Sequence, residues 1–489
     1  MFMKTALILI VGNKYNRVVE AINHIDPDLI YFLHTEKYQS ILDKIIKETD
    51  IGEKDKKYMI IENFQSINES YKKSSTIFKE LSNGNYDIYV AISNGTKAML
   101  SGLVLASSTY DCNLLYVGSD KNGRSDQGEV LEGHEEIMSE FNPMKEQANL
   151  ELEKGKQFFN SYQFDYALEN FKLAKKYSNK KIMDIYINIA RLYQSWDNFE
   201  DKITHDVNGR EIKPRLGRFL ENHILDEINK DEEIKNYFKT NEKTFYSQLK
   251  CNKRFLDKKI HHRKCIVDED NIFYFLVDLV NNAHRRIEMG RYDDATARLY
   301  RSMELIAQIR LLKKFELIDA RKLEYDRVFH IRKDKLNEFL ENEKNPIEEN
   351  VDYITASNKI SDDDEKVYVN NKIYIINEED IDFITIKDDY KNPKKTTVKL
   401  NLEEDYELLK ALNDKFAVEF FENKTINNNL SARNNSILAH GLKTTKKEST
   451  EAFYLHLMKY AKEISIISEY EFEKDFEQSS FPKFKDINL

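Results

Sequence analysis

Residues 86–109 read YDIYVAISNGTKAMLSGLVLASST and contain a complete strand–turn–helix unit. The apolar run over residues 86–93 predicts a buried strand, and the segment that follows predicts a helix. Gly95 lets the backbone turn sharply and lets a ligand approach it closely. Thr96 can accept a hydrogen bond from an amide in the first turn of the helix. The stretch therefore predicts one βα unit of an α/β sheet.

The same alternation of short apolar runs and amphipathic runs extends through residues 1–140. Repeated strand–helix alternation is typical of a parallel sheet with helices on both faces. Residues 1–140 are therefore predicted to form a Rossmann-like α/β domain. We expect its strands at residues 4–11, 28–34, 58–62, 86–93 and 113–118, and its helices at residues 15–25, 37–48, 69–81 and 96–109.

Two polar loops follow predicted strands, and ligands of such sheets bind beyond the carboxyl ends of the strands. Gly12 and Asn13 follow the first strand, while Gly95, Thr96 and Lys97 follow the fourth. The first amides of a helix that starts at Thr96 would face an anion, and Lys97 adds positive charge. Neither loop has the spacing of a Walker A motif or a dinucleotide fingerprint. The alternative is an ordinary tight βα turn with a capped helix.

From residue 143 onward the apolar residues recur mainly with the 3.6-residue period of helices. Residues 141–270 are predicted to form a helical connector, in which residues 151–177 have the spacing of a tetratricopeptide-type hairpin. A single hairpin does not make a repeat array, so we expect it to serve core packing. Further along the chain we expect helices at residues 271–289, 292–314, 403–421, 430–440 and 447–470.

A small β-insert is predicted at about residues 344–396, inside an otherwise all-α domain of residues 271–489. Residues 366–376 and 382–387 alternate apolar and polar side chains as short strands do. Asn370-Asn371 inside the first of these runs is a hairpin signal.

A candidate catalytic segment reads Ser431-Ala-Arg-Asn-Asn-Ser-Ile-Leu-Ala-His-Gly441. Arg433 and His440 are seven positions apart, so in a helix they lie on one face about two turns apart. Histidine is the usual proton carrier near neutral pH. The planar guanidinium of arginine matches the oxygens of a phosphate. Asn434 and Ser436 could orient the pair, and the segment is thus suited to metal-free cleavage of RNA.

Two readings of this segment remain open from spacing alone. Side chains two helical turns apart are too distant to act on one phosphate unless they converge or a second copy faces the first, as in a two-fold dimer. The alternative is an ordinary helix C-terminus, where the helix dipole favours an arginine and a histidine.

Three segments resemble one protein family. Arg433-Asn-Asn-Ser-Ile-Leu-Ala-His440 is similar to the Arg-Asn-(several)-His signature of HEPN ribonucleases. Ile92-Ser-Asn-Gly-Thr-Lys97 resembles the strand–loop motif of CARF domains. Residues 282–304 resemble the helix pair that precedes the catalytic helix in CARF–HEPN proteins. The chain therefore resembles the CARF–HEPN ribonucleases of type III CRISPR systems, with the sensor domain first and the nuclease domain last.

The resemblance implies a homodimeric, metal-independent endoribonuclease that a cyclic oligoadenylate of four or six nucleotides activates. Cleavage of single-stranded RNA would leave a 2′,3′-cyclic phosphate and a 5′-hydroxyl, with Arg433, Asn434 and His440 as catalytic residues. No cofactor other than the activator is implied, and some relatives also degrade the activator slowly. The residues implied to bind the activator are Gly12, Asn13, Asn94, Gly95, Thr96 and Lys97.

Arg301 and Glu304 fall on neighbouring faces of the predicted helix over residues 292–314. One reading is that they brace Arg433 or help to hold RNA. The other is an intrahelical ion pair, which contributes little to stability.

Composition limits the class of protein. Of the 489 residues, 33 % are charged and 41 % are apolar, which is typical of a globular protein with a large solvated surface. The net charge of −10 is evidence against broad nucleic-acid binding, and we expect no stable binding of DNA. The three cysteines indicate a reducing cytoplasm. A metal site at Cys251, His261, His262 and Cys265 is the disfavoured alternative, and no segment predicts a membrane span.

Two other functions remain as alternatives. The first is a non-enzymatic nucleotide sensor whose helical half recruits a partner. The second is a HEPN toxin that cleaves RNA without a second messenger. A DNA-binding regulator is disfavoured because no basic recognition helix follows the α/β domain.

Overall fold

The computed structural model describes residues 4–485 apart from 50, 52–53, 128–129, 179, 208, 260–270, 317, 319–330, 333–367, 370–371, 377–380, 386–396, 399, 413, 435–441 and 468–469. The chain divides into two compact units. Unit 1 comprises residues 1–156 and 166–187, and unit 2 comprises residues 157–165 and 188–489.

Unit 1 contains a six-stranded sheet with the order β3-β2-β1-β4-β5-β6. The first five strands of this order run parallel, and β6 pairs antiparallel with β5. Their bounds are Lys4–Ile10 (β1), Leu29–His34 (β2), Asp55–Ile60 (β3), Tyr86–Ala91 (β4), Asn113–Gly118 (β5) and Glu136–Phe141 (β6).

Helices cover both faces of this sheet because side chains along each strand alternate between the faces. On β1, Ala6, Ile8 and Ile10 join the core cluster that includes residues of α3 and α4. Leu7 and Leu9 join the cluster of α1 and α2 on the opposite face. The Rossmann-like prediction is thus confirmed. The helices are Asn16–Ile25 (α1), Gln39–Glu48 (α2), Ile67–Ser82 (α3) and Lys97–Ser107 (α4), with a 3₁₀ turn at Glu36–Tyr38.

The strand β6 was not predicted from the sequence. Most of its residues are exposed, so the run lacks the buried apolar pattern of β1, β2, β4 and β5. The strand β3 is also mostly exposed, and the sequence placed it at residues 58–62, shifted from the observed Asp55–Ile60.

The predicted helical hairpin is present as α5 (Pro143–Asn160) and α6 (Phe164–Tyr177), and α7 (Lys181–Asp197) follows. A Cβ at Gly155 would lie 2.4 Å from the ring of Phe171, so the two helices approach closely at this glycine. Each of these three helices contains a boundary between the two units.

Unit 2 is mainly helical, as predicted. In it α13 packs against α12, α14, α16 and α17. Its helices are Leu216–Leu220 (α8), Asp226–Lys230 (α9, after a π-helical turn at Glu221–Leu225), Glu232–Thr240 (α10), Lys243–Lys259 (α11), Ile272–Glu288 (α12), Tyr292–Lys313 (α13), Leu402–Ala411 (α14), Lys415–Glu422 (α15), Lys424–Asn434 (α16), Lys447–Ile467 (α17) and Phe472–Ser479 (α18).

The single helix predicted over residues 403–421 is wrong, because the structure divides it into α14 and α15. Asp414 lies between them and accepts a hydrogen bond from the Phe416 amide at 3.0 Å, which caps α15. The same carboxylate, fully buried, pairs with Arg310 at 2.7 Å and Lys314 at 3.1 Å. An aspartate that caps a helix favours a helix start at this position.

The predicted β-insert is confirmed by the described strands. Tyr368–Val369 (β8), Lys372–Ile376 (β9) and Ile381–Thr385 (β10) form an antiparallel sheet. The strands β8 and β9 flank residues 370–371, where the sequence predicts a hairpin. A second pair joins Ile331–Arg332 (β7) to Thr397–Val398 (β11).

A buried ion cluster anchors α12. Asp197, at the end of α7, accepts hydrogen bonds from Arg285 Nε at 2.8 Å, Arg286 Nη2 at 2.6 Å and Asn282 Nδ2 at 2.9 Å. The guanidinium of Arg285 also stacks 3.7 Å above the ring of Phe481. All of these groups are nearly inaccessible to water, so their mutual pairing replaces hydration.

None of the described helices combines the length and the apolar character that a bilayer crossing requires.

Gly102 tests the close packing of α3 against α4. A Cβ at this position would lie 2.7 Å from the Ile67 carbonyl oxygen, and backbone atoms cannot yield as a flexible side chain does. Gly102→Ala is therefore expected to lower the free energy of unfolding by about 1–3 kcal/mol, even though alanine favours helices by about 1 kcal/mol. Chemical denaturation measures this change. The exposed neighbour variant Ser101→Ala should have little effect, and a stabilised Gly102→Ala protein would contradict the packing.

Candidate functional site

A cavity of about 840 Å³ opens at the carboxyl ends of the central strands of unit 1. Its lining comes from residues 11–14 after β1, residues 35–38 after β2, residues 60–62 with Phe64 after β3, and residues 94–96 after β4. The parallel strands bring these loops to one edge of the sheet, where ligands of α/β folds bind.

The structure brings most of the predicted ligand residues to this cavity. Those that line it are Gly12, Asn13, Asn94, Gly95 and Thr96. Lys97 does not contribute to the lining: it is the first residue of α4, and its side chain is exposed.

Thr96 connects two of the loops. Its hydroxyl accepts a hydrogen bond from the Met99 amide at 3.2 Å, which caps the N-terminus of α4 as the sequence predicts. The same hydroxyl donates a hydrogen bond to the Phe64 carbonyl at 2.6 Å. One side chain therefore fixes the start of α4 relative to the loop after β3.

Asn94 fills the space between the loops after β1 and β4. Its amide nitrogen donates to the Lys14 carbonyl at 3.2 Å, and its side-chain oxygen accepts from the Gly95 amide at 3.1 Å. A Cβ at Gly12 would lie 2.7 Å from that oxygen, so a larger residue there would displace the Asn94 side chain from this position. Gly95 has a φ of +103°, a region that side chains disfavour.

Both anionic and apolar ligand groups find partners in the cavity. Lys14 and Lys37 line the cavity together with Glu36 and Glu62, so these charged side chains balance. A phosphate is favoured at the N-terminus of α4, which carries the positive end of a helix dipole. Ile60 and Phe64 supply apolar surface that is 43 % and 47 % exposed. This combination suits a ligand with phosphates and aromatic bases.

The contribution of the loops after β2 and β3 to the cavity was not predicted from the sequence. Residues 35–38 and 60–64 match no ligand motif, and only their position after predicted strands indicates a role.

The candidate catalytic segment begins in α16, whose last turn contains Arg433. The guanidinium carbon of Arg433 lies 4.4 Å from the centre of the Tyr300 ring, which α13 presents. Asn434 is the final residue of α16, and its side chain is outside the described part of the chain. His440 and Ser436 also lie outside the described residues, so the expected helix over residues 430–440 is described only as far as Asn434.

Arg301 and Glu304 form the intrahelical ion pair that was one of the two predicted readings. Arg301 Nη1 lies 2.6 Å from Glu304 Oε2 and donates to Gln308 Oε1 at 3.2 Å. Gln308 in turn donates to the carboxylate of Asp405, in α14, at 3.1 Å. A bracing role toward Arg433 stays a prediction. Tyr300, Gln308 and Asp405 were missed because no local pattern joins α13 to α14 or to α16.

Burial raises the pKa of Asp405 well above its ordinary value, and the negative charge of Glu304 adds to this effect. The carboxyl group of Asp405 is 2 % exposed and packs in the core of unit 2. It is therefore held as a neutral acid at pH values where a solvated aspartate is ionised.

The described part of the chain contains no cluster of three or more side chains of the kinds that hold metals. Of the disfavoured metal-site residues, Cys251 lies in α11, while His261, His262 and Cys265 are outside the described residues.

A protein-family comparison identifies the C-terminal region. Residues 264–353 and 360–464 match the family model described as Csm6 HEPN domain. A search of curated protein sequences found no match.

Several solved structures are similar to this chain. Enterococcus italicus Csm6 bound to cyclic hexa-2′-fluoro-hexa-dAMP has a TM-score of 0.45 and 12 % identity, over 98 % of this chain and 99 % of that chain. Can2 from Sulfobacillus thermosulfidooxidans in complex with cyclic tetra-adenylate has a TM-score of 0.20 and 11 % identity, over 40 % and 67 %. A type III CRISPR defence DNA nuclease activated by cyclic oligoadenylate has a TM-score of 0.22 and 15 % identity, over 39 % and 34 %.

The buried acid Asp405 predicts an unusual dependence of stability on pH. Since its pKa is higher in the folded than in the unfolded protein, the unfolded chain releases this proton first as the pH rises. The contribution of Asp405 is therefore intact below the ordinary aspartate pKa and decreases above it. Asp405→Asn, which cannot ionise, is expected to be more stable than the parent at pH 8 and not at pH 4, as measured by urea unfolding.

Asp414, in the same unit, provides a control because its pKa is shifted in the direction opposite to that of Asp405. Although burial acts to raise its pKa, hydrogen bonds from Arg310 lower it below the ordinary value. Asp414→Asn is expected to be less stable than the parent at pH 8, because it leaves Arg310 buried without a countercharge. An Asp405→Asn variant that loses stability at pH 8 would contradict the neutral state of this acid.

Proposed function

We propose that this chain is a CARF–HEPN protein of type III CRISPR systems and that it cleaves single-stranded RNA when a cyclic oligoadenylate binds its α/β unit. The observation that carries the proposal is a combination within one chain. A C-terminal region that matches the Csm6 HEPN domain follows a Rossmann-like sheet with a cavity at its strand ends.

The cavity supports a ligand of phosphates and bases. Phosphates meet the start of α4 at Gly95 and Thr96, where backbone amides and the helix dipole favour negative charge. Bases contact the apolar surface of Phe64 and Ile60. Lys97 is exposed at the first turn of α4, so in this proposal it contacts the activator from outside the cavity.

The size of the cavity supports a shared binding site. A volume of about 840 Å³ lies in the range of about 300–1,000 Å³ that is usual for a small-molecule site. A ring of four or six adenylates is much larger than a typical small molecule, so one cavity encloses only part of it. We therefore propose that two copies of the chain bind one ring, each with its own set of strand-end loops.

The proposed chemistry is proton transfer by His440 with charge stabilisation by Arg433. A 2′-hydroxyl attacks the adjacent phosphate, the 5′-oxygen leaves, and His440 acts in proton transfer between these oxygens. Arg433 stabilises the negative charge that develops on the phosphorane, and Asn434 orients the pair. The products are a 2′,3′-cyclic phosphate and a 5′-hydroxyl. Because protein side chains supply both functions, the reaction needs no metal.

The ring controls the reaction through the arrangement of the two copies. It can favour the active arrangement only to the extent that it binds this arrangement more tightly than the inactive one. In the active arrangement the two α16 segments line one groove, where the catalytic residues of both copies meet the RNA.

The direct test is cleavage of a fluorescent single-stranded RNA with no ring, with cyclic tetra-adenylate and with cyclic hexa-adenylate, each with and without a chelator. We expect cleavage with only one of the two ring sizes, and we expect the chelator to leave the rate unchanged. His440→Ala is expected to lower this rate by roughly 10²–10⁴-fold, because a general acid or base contributes about that factor. Arg433→Ala is expected to be strongly impaired as well.

The surface variant His24→Ala, in α1 of unit 1, is the matched histidine control and should keep the parental rate. Cleavage at full rate without any ring would instead indicate a toxin-type ribonuclease. Absence of cleavage with every ring would indicate a sensor without enzymatic activity.

Thr96→Val tests the activator site. Valine keeps the shape of threonine but removes the cap of α4 and the hydrogen bond to the Phe64 carbonyl. Each of these interactions is worth about 1 kcal/mol, so loss of both should raise the ring concentration for half-maximal cleavage by up to roughly 30-fold. The rate at saturating ring should stay parental.

Thr109→Val is the control, because Thr109 makes only a weak 3.3 Å hydrogen bond within its own turn, to the Ala106 carbonyl. An unchanged half-maximal concentration in Thr96→Val would remove Thr96 from the activator site.

A further inference from the structure

The candidate catalytic side chain Arg433 contacts the aromatic ring of Tyr300. The guanidinium carbon lies 4.4 Å from the centre of the phenol ring, well within the distance of about 6 Å at which a cation and an aromatic face attract. The two residues belong to α16 and α13, which pack against each other. The ring therefore faces the cation across a helix–helix contact.

Tyr300 lies on α13, which buried side chains and hydrogen bonds hold in place. Its neighbours Leu299 and Met303 are fully buried, and the Met303 carbonyl accepts a hydrogen bond from the Tyr406 hydroxyl at 3.1 Å. One turn further, Gln308 links α13 to the buried acid Asp405 in α14. Since α13 is fixed on several sides, the Tyr300 ring is a stable platform.

A catalytic arginine benefits from such a platform. The side chain is long and has many rotamers, whereas stabilisation of a transition state requires donors that are already in place. An aromatic face attracts the guanidinium as a whole and contains no carboxylate or carbonyl acceptor that would pair with its N–H groups. The contact thus restricts the orientation of Arg433 without placing a negative charge against it.

We propose that Tyr300 is a positioning residue that orients Arg433 for stabilisation of the transition state. The proposal rests on the function proposed above for Arg433. It assigns the role to the face of the ring and not to the hydroxyl group, since the guanidinium lies over the ring.

The protonation of Tyr300 is consistent with this assignment. Burial raises the pKa of its phenol above the ordinary value, although the charge of Arg433 acts in the opposite direction. The phenol therefore stays neutral through the neutral pH range, and the attraction to Arg433 does not depend on a phenolate.

Two substitutions separate the ring from the hydroxyl group in cleavage assays at saturating activator. Tyr300→Phe keeps the aromatic face and should retain kcat within about twofold. Tyr300→Leu removes the face and should lower kcat roughly tenfold with little change in KM, which is in the range that a partly buried cation–π contact provides. The shape of the pH–rate profile should not change, because the variant leaves the proton-transferring group intact.

The matched control is Tyr454→Leu, which replaces a half-buried tyrosine of α17 that stacks on His284, 5.2 Å away. A fall in kcat of similar size in this control would indicate a general structural effect. Equal loss in Tyr300→Phe and Tyr300→Leu would also overturn the proposal.

A series of fluorinated phenylalanines at position 300 tests the inference even if Tyr300→Leu fails to fold. Fluorine withdraws electron density from the face of the ring with little change in its shape, so kcat should fall stepwise as fluorines are added. A constant kcat across the series would overturn the proposal.

A double substitution separates this inference from the function of Arg433 itself. If Tyr300 acts through Arg433, Tyr300→Leu should cost little further activity in an Arg433→Ala background. A full additional loss there would overturn the positioning role. If Arg433→Ala alone keeps full activity, the proposed catalytic function fails. If Arg433→Ala is impaired while Tyr300→Leu is not, only the inference about Tyr300 fails.

Discussion

The buried carboxylate of Asp197 joins α7 to α12 and so fixes the arrangement of helices in unit 2. It lies at the end of α7, nearly inaccessible to water, and accepts hydrogen bonds from Arg285 and Arg286 of α12. A buried charge without a partner typically costs about 3–5 kcal/mol, and here two arginines share one countercharge. The end of α12 is therefore held against α7. Gly290, with a φ of +71°, then turns the chain into α13.

The helix α13 follows this anchored end of α12 and contacts the candidate catalytic segment. The helix presents Tyr300 to Arg433 and ties itself to α14 through Gln308 and Asp405. Each of these contacts joins residues far apart in the chain, and each is fixed by packing of helices. In unit 1 the corresponding constraint is the hydroxyl of Thr96, which joins α4 to the loop after β3.

Local patterns predicted the elements that are buried or capped. The strands β1, β2, β4 and β5 were recognised because their apolar runs are largely buried, and Thr96 was recognised as a helix cap. The strand β3 is mostly exposed, and it begins three residues before the predicted run at residues 58–62. The mostly exposed strand β6 has no such pattern. At the break between α14 and α15, Asp414 caps α15 and also pairs with Arg310 in a distant helix, and this second contact leaves no local pattern.

The candidate sites were predictable to different extents. Gly12 and Asn94 were placed together correctly because parallel strands end at one edge of a sheet, a rule that needs no contact information. Lys97 follows the same loop but is exposed and does not line the cavity, since the first turn of a helix distributes its side chains around the axis. The stack of Tyr300 on Arg433 could not be predicted, because no periodicity relates the two residues.

We propose above all that occupancy of the strand-end cavity controls the chemistry at the candidate catalytic segment. The most direct test measures both quantities in one titration: the fraction of protein bound to a fluorescent cyclic oligoadenylate, and the initial rate of RNA cleavage. We expect the cleavage rate to rise from near zero and to reach its plateau at the ring concentration where binding saturates. A cleavage rate that is independent of ring occupancy, or that stays at zero when the protein is fully occupied, would contradict the claim.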